Sequence, residues 1–216
     1  MLVNSKKRIF VLKITGSDAP LQIHSSKLDM ATILKVNIQD LNSQFFHDLG
    51  EKISDSTEVE IRIPEKKGKS ELFSDKEFWK VIEMLDWSKQ DSDEIMMPSI
   101  KKLADMPVVN IYLFADKLSE KLFQLDTRPH GDAYLSNEGD DYLSVDDFLY
   151  IRCAVVAEGK KYFEKVKANP SEFPAEISFE PLLSLAHKAY KMKTGREFEY
   201  YPVISYETYS NKNGWK

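Results

Sequence analysis

The sequence predicts an α+β fold class, in which a small N-terminal α/β unit precedes a mainly α-helical domain of four or five helices. Apolar and polar residues alternate in the first 64 residues, which is typical of half-buried strands, and helical periodicity begins near residue 74. The formal charge changes at the same point, from +2 over residues 1–70 to −7 over residues 71–216. We therefore predict an α+β unit at 1–64, a linker at 65–73 and a helical domain at 74–216.

Short runs of β-branched and aromatic residues predict the strands of the first unit. The predicted strands are 8–14, 21–24, 32–36 and 57–63, the last of them stopped by Pro64. Between the last two strands, apolar residues recur at three- and four-residue steps, which predicts an amphipathic helix over 39–53. Lysines in the linker are interpreted as a solvated hinge.

Helix signals follow in order along the second domain. Ser74 and Glu77 form the pattern of a capping box, in which each side chain satisfies a backbone donor of the other residue. Pro98 marks either a first turn or a break in the next helix. The further predicted elements are a helix from Pro107, a loop at 126–143, one helix from Ser144 to Asn169, a helix at 180–194 ending at Gly195, and an aromatic tail at 198–215.

Composition and charge narrow the class of protein. No window approaches the roughly 18 apolar residues of a membrane helix, and no signal peptide is visible, so we expect a cytoplasmic protein. A net charge of −5 argues against a general nucleic-acid binder, although the basic first unit keeps that class open as a weaker alternative. Cys153 is the single cysteine and is interpreted as a buried structural thiol.

Acidic residues dominate the predicted 126–143 loop and the helix start that follows it. Residues 126–147 contain seven acidic side chains and only one basic side chain, that of Arg128. We predict that Glu138, Asp140 and Asp141 in this segment bind a partner. Clustered carboxylates also suit a hard divalent cation, but the spacing differs from an EF-hand, and we predict neither a metal site nor a cofactor. The simpler interpretation is a solvated loop, with Asp146 and Asp147 favoured by the dipole of a helix.

A weak catalytic candidate lies in the same loop. His130 could act as a general base oriented by Asp132, with Arg128 holding an anion. No recognisable nucleophile turn or zinc-binding motif accompanies these residues. We therefore expect an exposed loop with an unpaired His130, and the sequence favours a binding protein over an enzyme without deciding between them.

Residues 77–200 contain a series of short sequence motifs rich in apolar and aromatic residues. The motifs are Glu77-Phe78-Trp79-Lys80-Val81-Ile82, Gly131-Asp132-Ala133-Tyr134-Leu135, Asp147-Phe148-Leu149-Tyr150-Ile151-Arg152, Gly159-Lys160-Lys161-Tyr162-Phe163-Glu164 and Ala186-His187-Lys188-Ala189-Tyr190. In this order they resemble a bacterial family catalogued as domain of unknown function 4240. The resemblance implies a helical fold and no established activity.

The leading functional hypothesis is a protein that binds another protein through its acidic surface, in the manner of an immunity protein or an antitoxin. The alternative is an enzyme of unknown reaction with its site at 126–147. We expect no membrane partner, and the sequence identifies no small-molecule ligand. The aromatic tail, including Tyr201 and Trp215, either forms a recognition surface or covers the helical core.

Overall fold

The chain forms two compact units in the computed structural model, Met1–Lys69 and Ser70–Lys216. The structure describes residues 9–15, 32–53, 58–62, 72–139, 141–174 and 177–216. The strand predicted at 21–24 lies outside these residues.

Three strands form an antiparallel sheet in the first unit. They are β1 (Ile9–Thr15), β2 (Thr32–Asn37) and β3 (Glu58–Arg62), and each boundary lies within one residue of the predicted one. The strand order is β2-β1-β3, and the register places Leu12 opposite both Leu34 and Ile61. Helix α1 (Ser43–Gly50) is shorter than the predicted 39–53, because residues Ile38–Asp40 form a 3₁₀ turn and Asn42 caps the helix.

The predicted α+β fold class is wrong, because the described chain is essentially all-α. The strands contain only seven, six and five residues, and the buried apolar core of the described residues runs from Phe73 to Ala189 in the helical unit. Alternation over 64 residues predicts where strands lie but not their share of the fold.

Seven α-helices make up the described part of the second unit, more than the four or five predicted. They are α2 (Asp75–Ile82), α3 (Ser92–Ala104), α4 (Val108–Leu125), α5 (Arg128–Glu138), α6 (Val145–Ala157), α7 (Lys160–Ala168) and α8 (Leu185–Thr194). Short 3₁₀ helices lie at Pro170–Glu172 and Glu180–Ser184. None of the helices within the described ranges has the length and apolar character needed to cross a bilayer.

The helical core forms around aromatic side chains on α2 and α4. The predicted capping box of Ser74 and Glu77 is confirmed and begins α2. Phe78 is fully buried and stacks on Phe114 of α4 at a centroid distance of 5.1 Å. Full burial of a side chain of this size contributes about 1.5–3 kcal/mol, so this contact stabilises the packing of α2 against α4.

Two breaks in the helices differ from the prediction. The helix predicted from Ser144 to Asn169 is two helices, because Gly159 adopts a φ of +94° that side chains rarely tolerate and so separates α6 from α7. Pro98 lies inside α3 and does not end it. A proline at that position removes one backbone hydrogen bond, yet the buried neighbours Met96 and Ile100 keep the helix packed.

Candidate functional site

The segment predicted as a loop at 126–143 contains helix α5. Pro129 lies in the first turn of α5, where its missing N–H has no intrahelical acceptor to lose. Gly131 is the fourth residue of α5 and lies against the indole of Trp215. A Cβ added at Gly131 would come within 2.6 Å of the ring. Both apparent helix breakers are therefore compatible with a helix, and tertiary contact explains the glycine.

His130 is buried and hydrogen-bonded, so the expectation of an exposed and unpaired histidine is wrong. Its Nδ1 lies 2.7 Å from the hydroxyl of Thr127, and its Nε2 lies 3.2 Å from the carbonyl of Val166. A carbonyl only accepts, so Nε2 carries the proton and Nδ1 accepts from Thr127 when the ring is neutral. The imidazole therefore joins the start of α5 to the end of α7.

The structure does not bring the three catalytic candidates together. Arg128 and Asp132 are exposed, whereas the His130 ring faces the core and packs against Phe173 at a centroid distance of 5.8 Å. Arg128 Nη2 donates to the backbone oxygen of Trp215 at 3.4 Å. The geometry supports a structural role for His130.

Stability should fall as pH drops below about 6.5, the ordinary pKa of histidine. Burial lowers the pKa of His130 in the folded state and the charge of Arg152 lowers it further, while the hydrogen bond to Val166 opposes the shift. Between the two pKa values the unfolded chain binds more protons, so acidification favours unfolding. Urea unfolding at pH 7.5 and 5.5 should show a smaller difference for His130→Gln than for the wild type. Equal differences in the two proteins would contradict this assignment.

Asp126 is a fully buried carboxylate between α4 and α5 that receives four hydrogen bonds. All four donors belong to residues 205–215, which we call the aromatic strap. The donors are Tyr209 N at 3.0 Å and Trp215 Nε1 at 2.7 Å to Oδ1, and Asn211 N at 2.9 Å and Ser210 Oγ at 3.2 Å to Oδ2. The interpretation of Asp126 as part of a solvated loop is therefore wrong.

Arg152 of α6 is fully buried and holds the other half of the strap. It donates to the carbonyls of Leu122 at 3.0 Å and Tyr206 at 3.1 Å, and to Thr208 Oγ1 at 2.9 Å. Burial lowers the pKa of Arg152 to about 10, and the negative charge of Asp126 opposes that shift. The guanidinium therefore remains charged at neutral pH and, with Asp126, fixes the strap to the helices.

The aromatic tail divides between the two roles considered for it. Tyr200, Tyr206 and Trp215 are partly buried against the core, whereas Tyr201 is 93% exposed.

Cys153, the residue of α6 that follows Arg152, is fully buried as predicted, and burial raises the pKa of its thiol to about 12. The thiol is therefore not a nucleophile at neutral pH.

An acidic surface lies around the start of α6, and we define it as Asp141, Asp146, Asp147 and Glu180. All four acidic side chains are exposed. The side chain of Tyr142, which follows Asp141 in the sequence, is 75% exposed. Burial raises the pKa of Tyr150, and the negative charges of Glu180, Asp146 and Asp147 raise it further, as expected where carboxylates cluster.

The helix-dipole interpretation of this region also holds, since Asp146 and Asp147 lie in the first turn of α6 and Ser144 Oγ accepts from Asp147 N at 3.3 Å. Asp140 and the Glu138 side chain lie outside the described part of the structure. Binding by Glu138, Asp140 and Asp141 therefore stays a prediction. Within the described residues, no group of three or more His, Cys, Asp or Glu side chains is placed to hold a metal ion.

Comparisons with known proteins agree with the sequence resemblance. Neither a curated protein nor a solved structure matched the chain. One family model does match, over residues 74–192, a range that includes α2 to α7 and most of α8 together with Asp126, His130 and Arg152. Because this match covers more than half of the chain, the protein belongs to the family described as "Protein of unknown function (DUF4240)".

Proposed function

We propose that this protein binds another protein, and that its acidic surface contacts a basic surface of that partner. The observation that supports this most is the exposed set of Asp141, Asp146, Asp147 and Glu180 beside Tyr142, whose side chain is 75% exposed. Clustered charge of one sign speeds the encounter with an oppositely charged partner and selects against partners of like charge. An exposed tyrosine adds contact area at a low cost in side-chain entropy.

The specific form we propose is an immunity or antitoxin-like protein in the bacterial cytoplasm. The partner would be a toxin with a basic working surface, and the acidic surface would cover it. Support comes from the way the scaffold holds this surface. The Ser144 cap fixes the start of α6, and Arg152 anchors the same helix to the strap. A preorganised surface binds with less loss of conformational entropy than a mobile one.

The alternative of catalysis at 126–147 has no support among the described residues of that segment. His130 donates to a backbone carbonyl and faces the core, and Asp126 is fully occupied by donors from the strap. The described cavity, about 210 Å³ in volume, lies elsewhere, between α4 and residues 203–204. We therefore assign no catalytic role to His130, Asp132 or Arg128.

Neutralising the predicted binding acids should slow partner association. The test variant is Glu138→Gln with Asp140→Asn and Asp141→Asn. The matched control removes three carboxylates at helix C-caps, Glu83→Gln with Asp105→Asn and Glu158→Gln. A partner captured from the native host lysate is purified, and its association rate is measured at low and high salt. We expect the test variant to associate about tenfold more slowly at low salt and with a weaker salt dependence.

The control variant keeps the same net charge as the test variant, so long-range repulsion or attraction by the whole chain affects both equally. Its association rate should stay close to that of the wild type. Equal slowing in both variants would show that net charge matters and the location of the charge does not. Unchanged association of the test variant would rule out Glu138, Asp140 and Asp141 as contacts of the partner.

A further inference from the structure

The aromatic strap, residues 205–215, lies against the helices without a helix or strand of its own. Its backbone forms turns and irregular structure, and each of its residues keeps part of its surface exposed. Beneath it lie two fully buried charged side chains, Asp126 and Arg152, to which the strap donates and from which it accepts hydrogen bonds. Hydrogen bonds to charged groups, together with the ring contacts of Trp215, therefore hold this segment in place.

One residue of the strap joins it to the start of α6. The Thr208 hydroxyl accepts from Arg152 Nη2 at 2.9 Å and donates to the carbonyl of Val145 at 2.7 Å. Val145 is the first residue of α6, and Asp146 and Asp147 of the acidic surface follow it in the same turn. A side chain 63 residues along the chain therefore ties the conformation of that turn to the position of the strap.

Three features favour release of the strap while the helical core stays folded. The buried apolar core of the described residues runs from Phe73 to Ala189 and includes no residue of the strap. Water would hydrate Asp126 and Arg152 after release, which offsets the desolvation cost that their burial carries. Tyr209 has a φ of +68°, a conformation that tyrosine rarely adopts, and release relieves that strain.

We propose that the aromatic strap is a latch that opens and closes together with the first turn of α6, while the rest of the helical unit stays folded. When it is closed, the contact from Thr208 to Val145 holds Asp146 and Asp147 in the arrangement described above. When it is open, that contact is lost and the helix start frays. A partner that binds the ordered turn favours the closed state, so strap docking regulates partner binding, and this last step rests on the proposed function.

Amide hydrogen exchange of the full-length chain, followed by NMR over a series of low urea concentrations, tests the latch. Tyr209 and Asn211 report on the strap, since both amides donate to the buried carboxylate. Asp147 and Phe148 report on α6, since both amides donate to the N-cap residue of that helix. We expect all four amides to exchange through one opening, with a shared free energy and urea dependence below those of global unfolding.

Thr208→Val removes the hydroxyl at nearly constant volume. It should raise the exchange rates of all four amides about tenfold, as expected for the loss of a hydrogen bond to a charged group. The matched control is Thr194→Val at the end of α8. The hydroxyl of Thr194 likewise donates to a carbonyl, that of Tyr190 at 2.8 Å, and accepts an N–H, that of Arg196 at 3.2 Å. This control should leave the four amides unchanged.

Ser210→Ala tests whether the two segments open together. The Ser210 hydroxyl bonds to Asp126 at 3.2 Å and to the Ser205 carbonyl at 2.8 Å, so the substitution weakens the strap away from its contact with α6. A shared opening requires faster exchange at Asp147 and Phe148 as well as in the strap.

Exchange of the strap amides only through global unfolding would overturn the proposal. Strap opening that leaves the α6 amides protected would do the same, as would equal effects of the two threonine variants. If circular dichroism shows that Thr208→Val has altered the fold, Ser210→Ala decides the matter. Unchanged exchange at Asp147 and Phe148 in that variant excludes a shared opening.

The affinity of the captured partner separates the latch from the proposed function. Exchange is measured without a partner, so the latch can be confirmed even if no partner binds the acidic surface. Where the acidic substitutions do slow association, the affinity should fall for Thr208→Val and stay unchanged for Thr194→Val. An unchanged affinity for Thr208→Val with such a partner would overturn regulation by the latch and leave the proposed function intact.

Discussion

Replacing Asp126 by alanine should destabilise the protein by about 3–5 kcal/mol, a large part of the stability of an ordinary domain. The substitution leaves three donors of the aromatic strap, Tyr209 N, Asn211 N and Trp215 Nε1, without an acceptor, whereas the Ser210 hydroxyl keeps the Ser205 carbonyl at 2.8 Å. It also removes a negative charge that lies close enough to buried Arg152 to affect its pKa. An unpaired buried donor costs about 1–3 kcal/mol, and an uncompensated buried charge costs more. Urea unfolding followed by tryptophan fluorescence measures the loss.

Asp126→Asn tests the same point with the shape preserved. Each carboxylate oxygen now accepts two hydrogen bonds, so an amide nitrogen in place of either oxygen must face donors. We therefore expect Asp126→Asn to cost nearly as much as the alanine change. The control is Asp132→Asn on the exposed face of α5, which should shift stability by less than about 0.5 kcal/mol. A mild effect of both Asp126 variants would show that the strap is held by its aromatic contacts alone.

Gly131→Ala should destabilise the protein by about 1–3 kcal/mol, although alanine is ordinarily the better helix residue. The added Cβ would lie 2.6 Å from the Trp215 ring, a distance that forces the indole to move. Displacement also weakens the 2.7 Å hydrogen bond from the indole N–H to Asp126. Steric overlap therefore outweighs the gain in helix propensity.

The sign of this effect should reverse once the indole is removed. In a Trp215→Ala background, Gly131→Ala meets no ring, and its helix propensity should raise stability by about 0.5–1 kcal/mol. Chemical unfolding of the wild type, both single variants and the double variant gives the coupling between the two positions. Additive effects would mean that Gly131 is not constrained by Trp215.

Local signals in the sequence predicted the elements whose causes are local. The capping box at Ser74 and Glu77 was found because both partners lie within one turn and their side chains satisfy each other. Helix α5 was missed because Pro129 and Gly131 resemble helix breakers. The reason that glycine is tolerated is an aromatic ring more than 80 residues along the chain, and no periodicity within α5 reveals it.

The polar centre beneath the aromatic strap was also beyond local prediction. Asp126 and its partners are separated by 83 to 89 residues, and Arg152 reaches Thr208 across 56. In the sequence, Asp126 is one of seven acidic residues and cannot be told apart from a solvated one, because its hydrogen-bond donors are distant in the chain.

The single helix predicted over 144–169 was wrong for another reason. Apolar spacing continues through Gly159, so only its backbone conformation, with φ at +94°, shows where α6 ends.

The burial of Cys153 has a practical consequence for labelling. This residue is the only cysteine in the chain, and its side chain is fully enclosed while burial raises the pKa of the thiol to about 12. Alkylating reagents attack the exposed thiolate, so the native protein presents them with almost no target. A cysteine introduced at Tyr201 or Tyr142 would be the sole reactive thiol. Fluorophores and spin labels can therefore be attached at either of these two positions in the otherwise unaltered chain, with no native cysteine to remove first.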